Sequence, residues 1–61
     1  MTVFSVSPLV LRAAALEHNV AQFAGDLMVT HEGKFVINGR LATLNEAIVT
    51  CGRYNLAQAA A

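Results

Sequence analysis

Sixty-one residues with a single cysteine bound one small domain and exclude an internal disulfide. A formal net charge of zero excludes the broad basic field on which charge-driven nucleic-acid binding depends. With 56% hydrophobic and 13% charged residues and a mean hydropathy of +0.52, the chain carries more apolar surface than it can hide, since a chain this short buries only about 60% of its unfolded surface. The composition predicts self-association or a permanent partner.

Thr2 to Val6 reads as a short strand. Ser7-Pro8 then marks a helix start: Ser supplies an N-cap oxygen, and Pro at N1 gives up an N–H that would have had no partner. Val6 and Leu11 stand at the spacing of a hydrophobic staple. The spacing predicts a helix to about Ala24, with Gly25 at C′. Leu9, Ala13, Leu16, Val20, Phe23 and Leu27 repeat at alternating intervals of four and three, so the helix presents an a/d seam either to its own sheet or to another subunit. On that seam Phe23 is expected to be core, and Phe23→Ala to cost about 3–5 kcal/mol by leaving a cavity.

Leu27 to Leu41 reads as a three-stranded antiparallel meander with Phe35, Val36, Ile37 and Leu41 as its scaffold. Asn38-Gly39 between apolar runs is a strong two-residue hairpin signal, because a type I′ turn needs φ > 0 at both central residues. Glu32-Gly33 is a weaker version. Two such turns would place Met28, Thr30, Phe35, Ile37 and Ala42 on one face and Leu27, Val29, Val36 and Leu41 on the other. Both faces are apolar, so each needs a cover.

Thr43-Leu44-Asn45-Glu46 is a capping box that starts a second helix at Leu44. Leu44, Ala47, Ile48 and Cys51 form its expected inner row. Gly52 is expected to end or kink it, and the Ala-rich tail carries only one large aliphatic, Leu56. The expected fold is therefore α+β, one domain over residues 1–61: a short N-terminal strand, a helix, a three-stranded antiparallel meander and a C-terminal helix, in an obligate homo-oligomer.

Chemistry-bearing residues are sparse. Cys51 has no cysteine partner and sits on a helix row where a thiol acts as a small hydrophobe. His18 and His31 have no motif around them. Together with Glu17, Asp26, Glu32 and Cys51 they show none of the zinc-ligand spacings. Glu46 belongs to the capping box and Glu17 to a solvated helix surface. Gly25, Gly33, Gly39 and Gly52 punctuate the chain and form no phosphate loop. The expectation is a protein without catalytic residues, cofactor or metal. The lone thiol predicts a reducing compartment, by default the cytoplasm. The N-terminus lacks the cationic region of a signal peptide, and no run reaches the roughly 18 apolar residues of a membrane span.

Ser5-Val6-Ser7 before a helix, then Val29-Thr30-His31-Glu32-Gly33-Lys34, then Thr43-Leu44-Asn45-Glu46 resemble, in order and spacing, the N-terminal domain of Phd/YefM-type antitoxins. That resemblance implies a strand–helix–hairpin–helix homodimer that binds operator DNA. Two departures stand out: His31 replaces the basic residue usual after the Val-Thr pair, and Asn38-Gly39 adds a turn. Phosphate contacts would have to come from symmetry doubling a few cations such as Lys34 and Arg40.

The leading expectation is a small non-enzymatic interaction module of the phage or mobile-element accessory type. It self-associates and binds or inhibits a protein target. The expected interface residues are Leu9, Leu16, Val20, Phe23, Val36, Leu41 and Leu56. The alternative is the dimeric DNA-binding regulator.

Overall fold

The structure is a computed structural model that describes residues 5–60. Its elements are α1 (Pro8–His18), β1 (Gln22–Ala24), β2 (Leu27–Val29), β3 (Phe35–Ile37), β4 (Arg40–Leu41) and α2 (Leu44–Ala60). The class is α+β, with two helices and one antiparallel sheet of four strands in the order β1-β2-β3-β4. Each strand joins its neighbour through a short connection, as a meander must.

The N-terminal strand expected over Thr2–Val6 falls largely outside the described residues, and Ser5 and Val6 belong to no strand. Helix α1 starts where expected. Ser7 is the N-cap in extended conformation (φ −117, ψ 139) and Pro8 occupies the first turn, but the Ser7 hydroxyl makes no capping bond. The Ser7 carbonyl instead accepts the first helical bond from the Leu11 N–H at 3.0 Å.

The helix ends six residues before Ala24. Asn19 takes the left-handed conformation (φ 55, ψ 39) and closes it. Asn tolerates that region better than other non-glycine residues, so it can serve as a C-cap. The residues that would have formed the helix's last turns pair instead with β2: Gln22 with Val29, Phe23 with Met28 and Ala24 with Leu27. Gly25 is therefore no helix cap. It opens a two-residue hairpin turn at φ +60, and a Cβ there would lie 3.4 Å from the Tyr54 ring. A first central residue with φ > 0 followed by one with φ < 0 is the type II′ pattern, in which Gly is favoured.

The β2–β3 connection also differs from expectation. Val29 pairs with Phe35, Met28 with Val36 and Leu27 with Ile37. The loop is Thr30–Lys34, closed by Thr30 N–H to Lys34 O at 2.9 Å and Gly33 N–H to Thr30 O at 2.8 Å. One residue more than a tight turn shifts the register by one, and a shift of one exchanges faces. The Asn38-Gly39 turn forms as expected, with φ 52 and φ 78, pairing Ile37 with Arg40 and Val36 with Leu41.

The corrected register sorts the sheet cleanly. Ala24, Leu27, Val29, Phe35 and Ile37 share the inner face, where all but the partly buried Ile37 are buried beneath the helices. Phe23, Met28, Val36 and Leu41 share the outer face. The helices cover the inner face with small residues: Ala15 of α1, and Ala47 and Cys51 of α2, are each at most 2% exposed. The expected a/d seam is not the packed one. Leu9 and Leu16 are about half exposed, while Pro8 and Ala15 are buried and Leu11 packs on the core. Helix α1 is apolar nearly all round, so periodicity alone cannot choose its buried side. On α2, Ala47 and Cys51 hold the inner row, but Leu44 and Ile48 stand outside it.

The capping box is present: Thr43 N–H donates to Glu46 Oε1 at 3.1 Å and Glu46 N–H to Thr43 Oγ1 at 3.3 Å. Helix α2 then runs unbroken through Gly52 for 17 residues. A Cβ at Gly52 would meet nothing within 4 Å.

Two predictions follow from this packing. Leu27→Ala costs about 2–5 kcal/mol by opening a cavity, whereas Phe23→Ala, measured in dilute solution, changes folding stability by no more than about 1 kcal/mol. Urea titration of both variants checks the corrected burial. Gly52→Ala raises stability by about 0.5–1 kcal/mol, read as a higher melting temperature, because an exposed helix interior gains from the loss of glycine's backbone freedom.

Candidate interaction surface

The outer face of the sheet carries one large apolar side chain from every strand. Phe23 lies opposite Met28, Met28 opposite Val36, and Val36 opposite Leu41. The four form a continuous row across the sheet, about 14 Å long at the usual strand spacing. Phe23 is 69% exposed and Leu41 75%, while Met28 and Val36 in the middle strands are half-buried by their neighbours. Nothing in the chain's described residues covers this row. It is the reverse side of the face that α1 and α2 cover.

A second apolar feature lies between the two helices. A groove of about 360 Å³ is lined by Val6, Ser7, Pro8, Leu9, Leu44, Ile48, Cys51, Gly52 and Asn55. Leu9, Leu44 and Ile48 are each about half exposed there.

The seven expected interface residues thus divide. Phe23, Val36 and Leu41 are brought together in the outer row. Leu9 lines the groove. Leu16 packs at Gly33 of the β2–β3 loop, within 3.3 Å of where a glycine Cβ would stand, yet remains more than half exposed. Val20 is exposed in the α1–β1 connection and Leu56 on α2. Met28, Leu44, Ile48 and Asn55 join these surfaces without having been singled out for them. Correct register would have found Met28. Asn55 leaves no signal in the sequence, because its partner is 49 residues away.

That partner is the backbone of Val6. The Val6 N–H donates to Asn55 Oδ1 at 2.8 Å, and Asn55 Nδ2 donates to the Val6 carbonyl at 2.9 Å. One side-chain amide therefore satisfies both backbone polar groups of Val6.

The chemistry-bearing residues stay apart. Cys51 is buried on α2, whereas His18 ends α1 and His31 lies in the β2–β3 loop, both exposed. Among the described residues no group of three or more His, Cys, Asp or Glu could hold a metal ion. Lys34 precedes β3 and Arg40 opens β4 after the turn, so the two cations stand at opposite ends of the sheet and form no contiguous track for phosphates. Arg12 is otherwise engaged, its guanidinium 5.9 Å from the Phe35 ring centroid, a cation–π distance. No helix among the described residues is long and apolar enough to cross a membrane.

No family model matches the chain, and neither a curated protein nor a solved structure does. The likeness to the antitoxin domain therefore rests on its short motifs alone.

Burial pushes the Cys51 thiol above the ordinary thiol pKa, because the neutral form suits an apolar site better than the thiolate. The unfolded chain ionises first, so stability is fully present below the ordinary value of about 8.5 and declines as pH rises past it toward the folded-state pKa. Urea titrations between about pH 8 and about pH 10 should show a steeper loss for the unaltered protein than for Cys51→Ala.

Proposed function

We propose that this chain is a non-enzymatic protein–protein interaction module. It self-associates through the outer face of its sheet and binds, and through binding inhibits or assists, a protein target. The uncovered row Phe23–Met28–Val36–Leu41 carries this reading. An antiparallel sheet that faces water normally alternates apolar inward with polar outward, and this one sets a large apolar side chain outward on each of its four strands. Two such faces stacked about 10 Å apart would bury both rows. The contact is isologous, so one surface serves both copies and the assembly closes at two. A net charge of zero leaves no long-range repulsion between them.

In such a dimer the Leu9–Leu44–Ile48 groove of each copy stays accessible, since it lies between the helices and the sheets meet on the other side. That groove is the surface left for a protein target. A short chain with this profile suits an accessory or inhibitory protein of a phage or mobile element, by analogy alone. A buried, unpaired thiol suits the reducing cytoplasm.

Sedimentation equilibrium tests the reading. The unaltered protein gains mass with concentration, while Phe23→Ser combined with Leu41→Ser stays monomeric at the same concentrations and keeps its helical circular dichroism. An unaltered protein that remains monomeric up to millimolar concentration ends the proposal. So does association that vanishes steeply with added salt, because apolar contacts do not weaken that way.

A further inference from the structure

Residues 5–7, which lead into α1, are tied to α2 by a side chain. Ser5 to Ser7 join no helix or strand, and Ser5 is exposed. The tie is the Asn55 amide, which holds both the N–H and the carbonyl of Val6. Cys51 stands one helical turn before Asn55, is 2% exposed, and lines the same groove as Val6, Ser7 and Pro8. Immediately after Val6 come Ser7 and Pro8, where the chain turns from extended to helical.

We propose that residues 5–7 are a strap latched by Asn55. The strap opens as a unit while the sheet and both helices stay folded, and its opening uncovers Cys51 and widens the Leu9–Leu44–Ile48 groove. Segments with few buried contacts and only partly buried hydrogen bonds open at lower free energy than a core ladder. Besides its two partly buried bonds to Asn55, Val6 rests its partly buried side chain against the core, whereas Leu27 and Val29 at the centre of the sheet are fully buried. The latch is local to one side chain, so its removal does not disturb the β2–β3 pairing. The inference does not depend on self-association.

The test is the rate at which a disulfide reagent labels Cys51, read beside amide hydrogen exchange. In Asn55→Ala the labelling rate rises roughly five- to thirtyfold, the range that corresponds to losing one or two ordinary hydrogen bonds. Exchange of the β2–β3 ladder amides remains as in the unaltered protein. A labelling rate within about twofold of the unaltered protein overturns the strap, given that one lost bond alone should move it further. A parallel rise in labelling and ladder exchange also overturns it, since that reports global unfolding. In the unaltered protein, the opening free energy read by Cys51 labelling should equal that read by the Val6 amide and lie below that of the ladder. Agreement of Cys51 with the ladder instead would refute the proposal without any variant.

Discussion

The thinness of the core governs this molecule. The core cluster among the described residues is Ala15, Ala24, Leu27, Val29, Phe35, Ala47 and Cys51, and four of these seven are small. Ala15, Ala47 and Cys51 are the helix positions buried most fully over the sheet, beside Leu27, Val29 and Phe35, while the larger Leu11 and Tyr54 pack on the core only partly buried. Close packing rewards that fit, because an interior gap forfeits dispersion contacts on every wall. The larger aliphatics on the helices are displaced outward by the same geometry. Leu9, Leu16, Leu44, Ile48 and Leu56 sit on the flanks or backs of the helices and keep much of their surface in water.

With so small an interior, local devices must define the elements. The reciprocal Thr43–Glu46 bonds start α2, Asn19 ends α1, and left-handed residues at Gly25 and at Asn38-Gly39 close two hairpins. Each satisfies backbone groups or lowers the cost of a turn, and each acts over four residues or fewer. The long-range counterpart is Asn55, which joins the start of the described chain to the far half of α2.

The surfaces that remain are set by what the core leaves out. The outer sheet row and the interhelical groove lie on opposite sides of the two layers, and most of the side chains described in them are apolar. In the proposed function these surfaces meet another polypeptide, and burial of their apolar side chains supplies the driving force. Zero net charge and scattered cations make a phosphate-driven contact physically weak. The proposed strap adds a moving part near the groove, held by two hydrogen bonds and a partly buried Val6 side chain, against the fully buried Leu27 and Val29 of the sheet.

What was legible in the sequence was local. The start of α1 at Ser7-Pro8, the Asn38-Gly39 turn, the capping box at Thr43, the antiparallel meander and the excess of apolar surface all follow from short-range chemistry or composition. Tertiary structure decided the rest. A helical repeat running through Val20 and Phe23 was overridden because residues 22–24 gain a ladder with β2 once Gly25 turns the chain, and no local preference records that pairing. One additional loop residue between Val29 and Phe35 reversed which of Val36 and Phe35 sits beside Leu27 and Val29, because side chains alternate with period two. Which face of α1 is buried was undetermined on a helix apolar nearly all round, and the choice of Ala15 over Leu16 was made by the room available above the sheet.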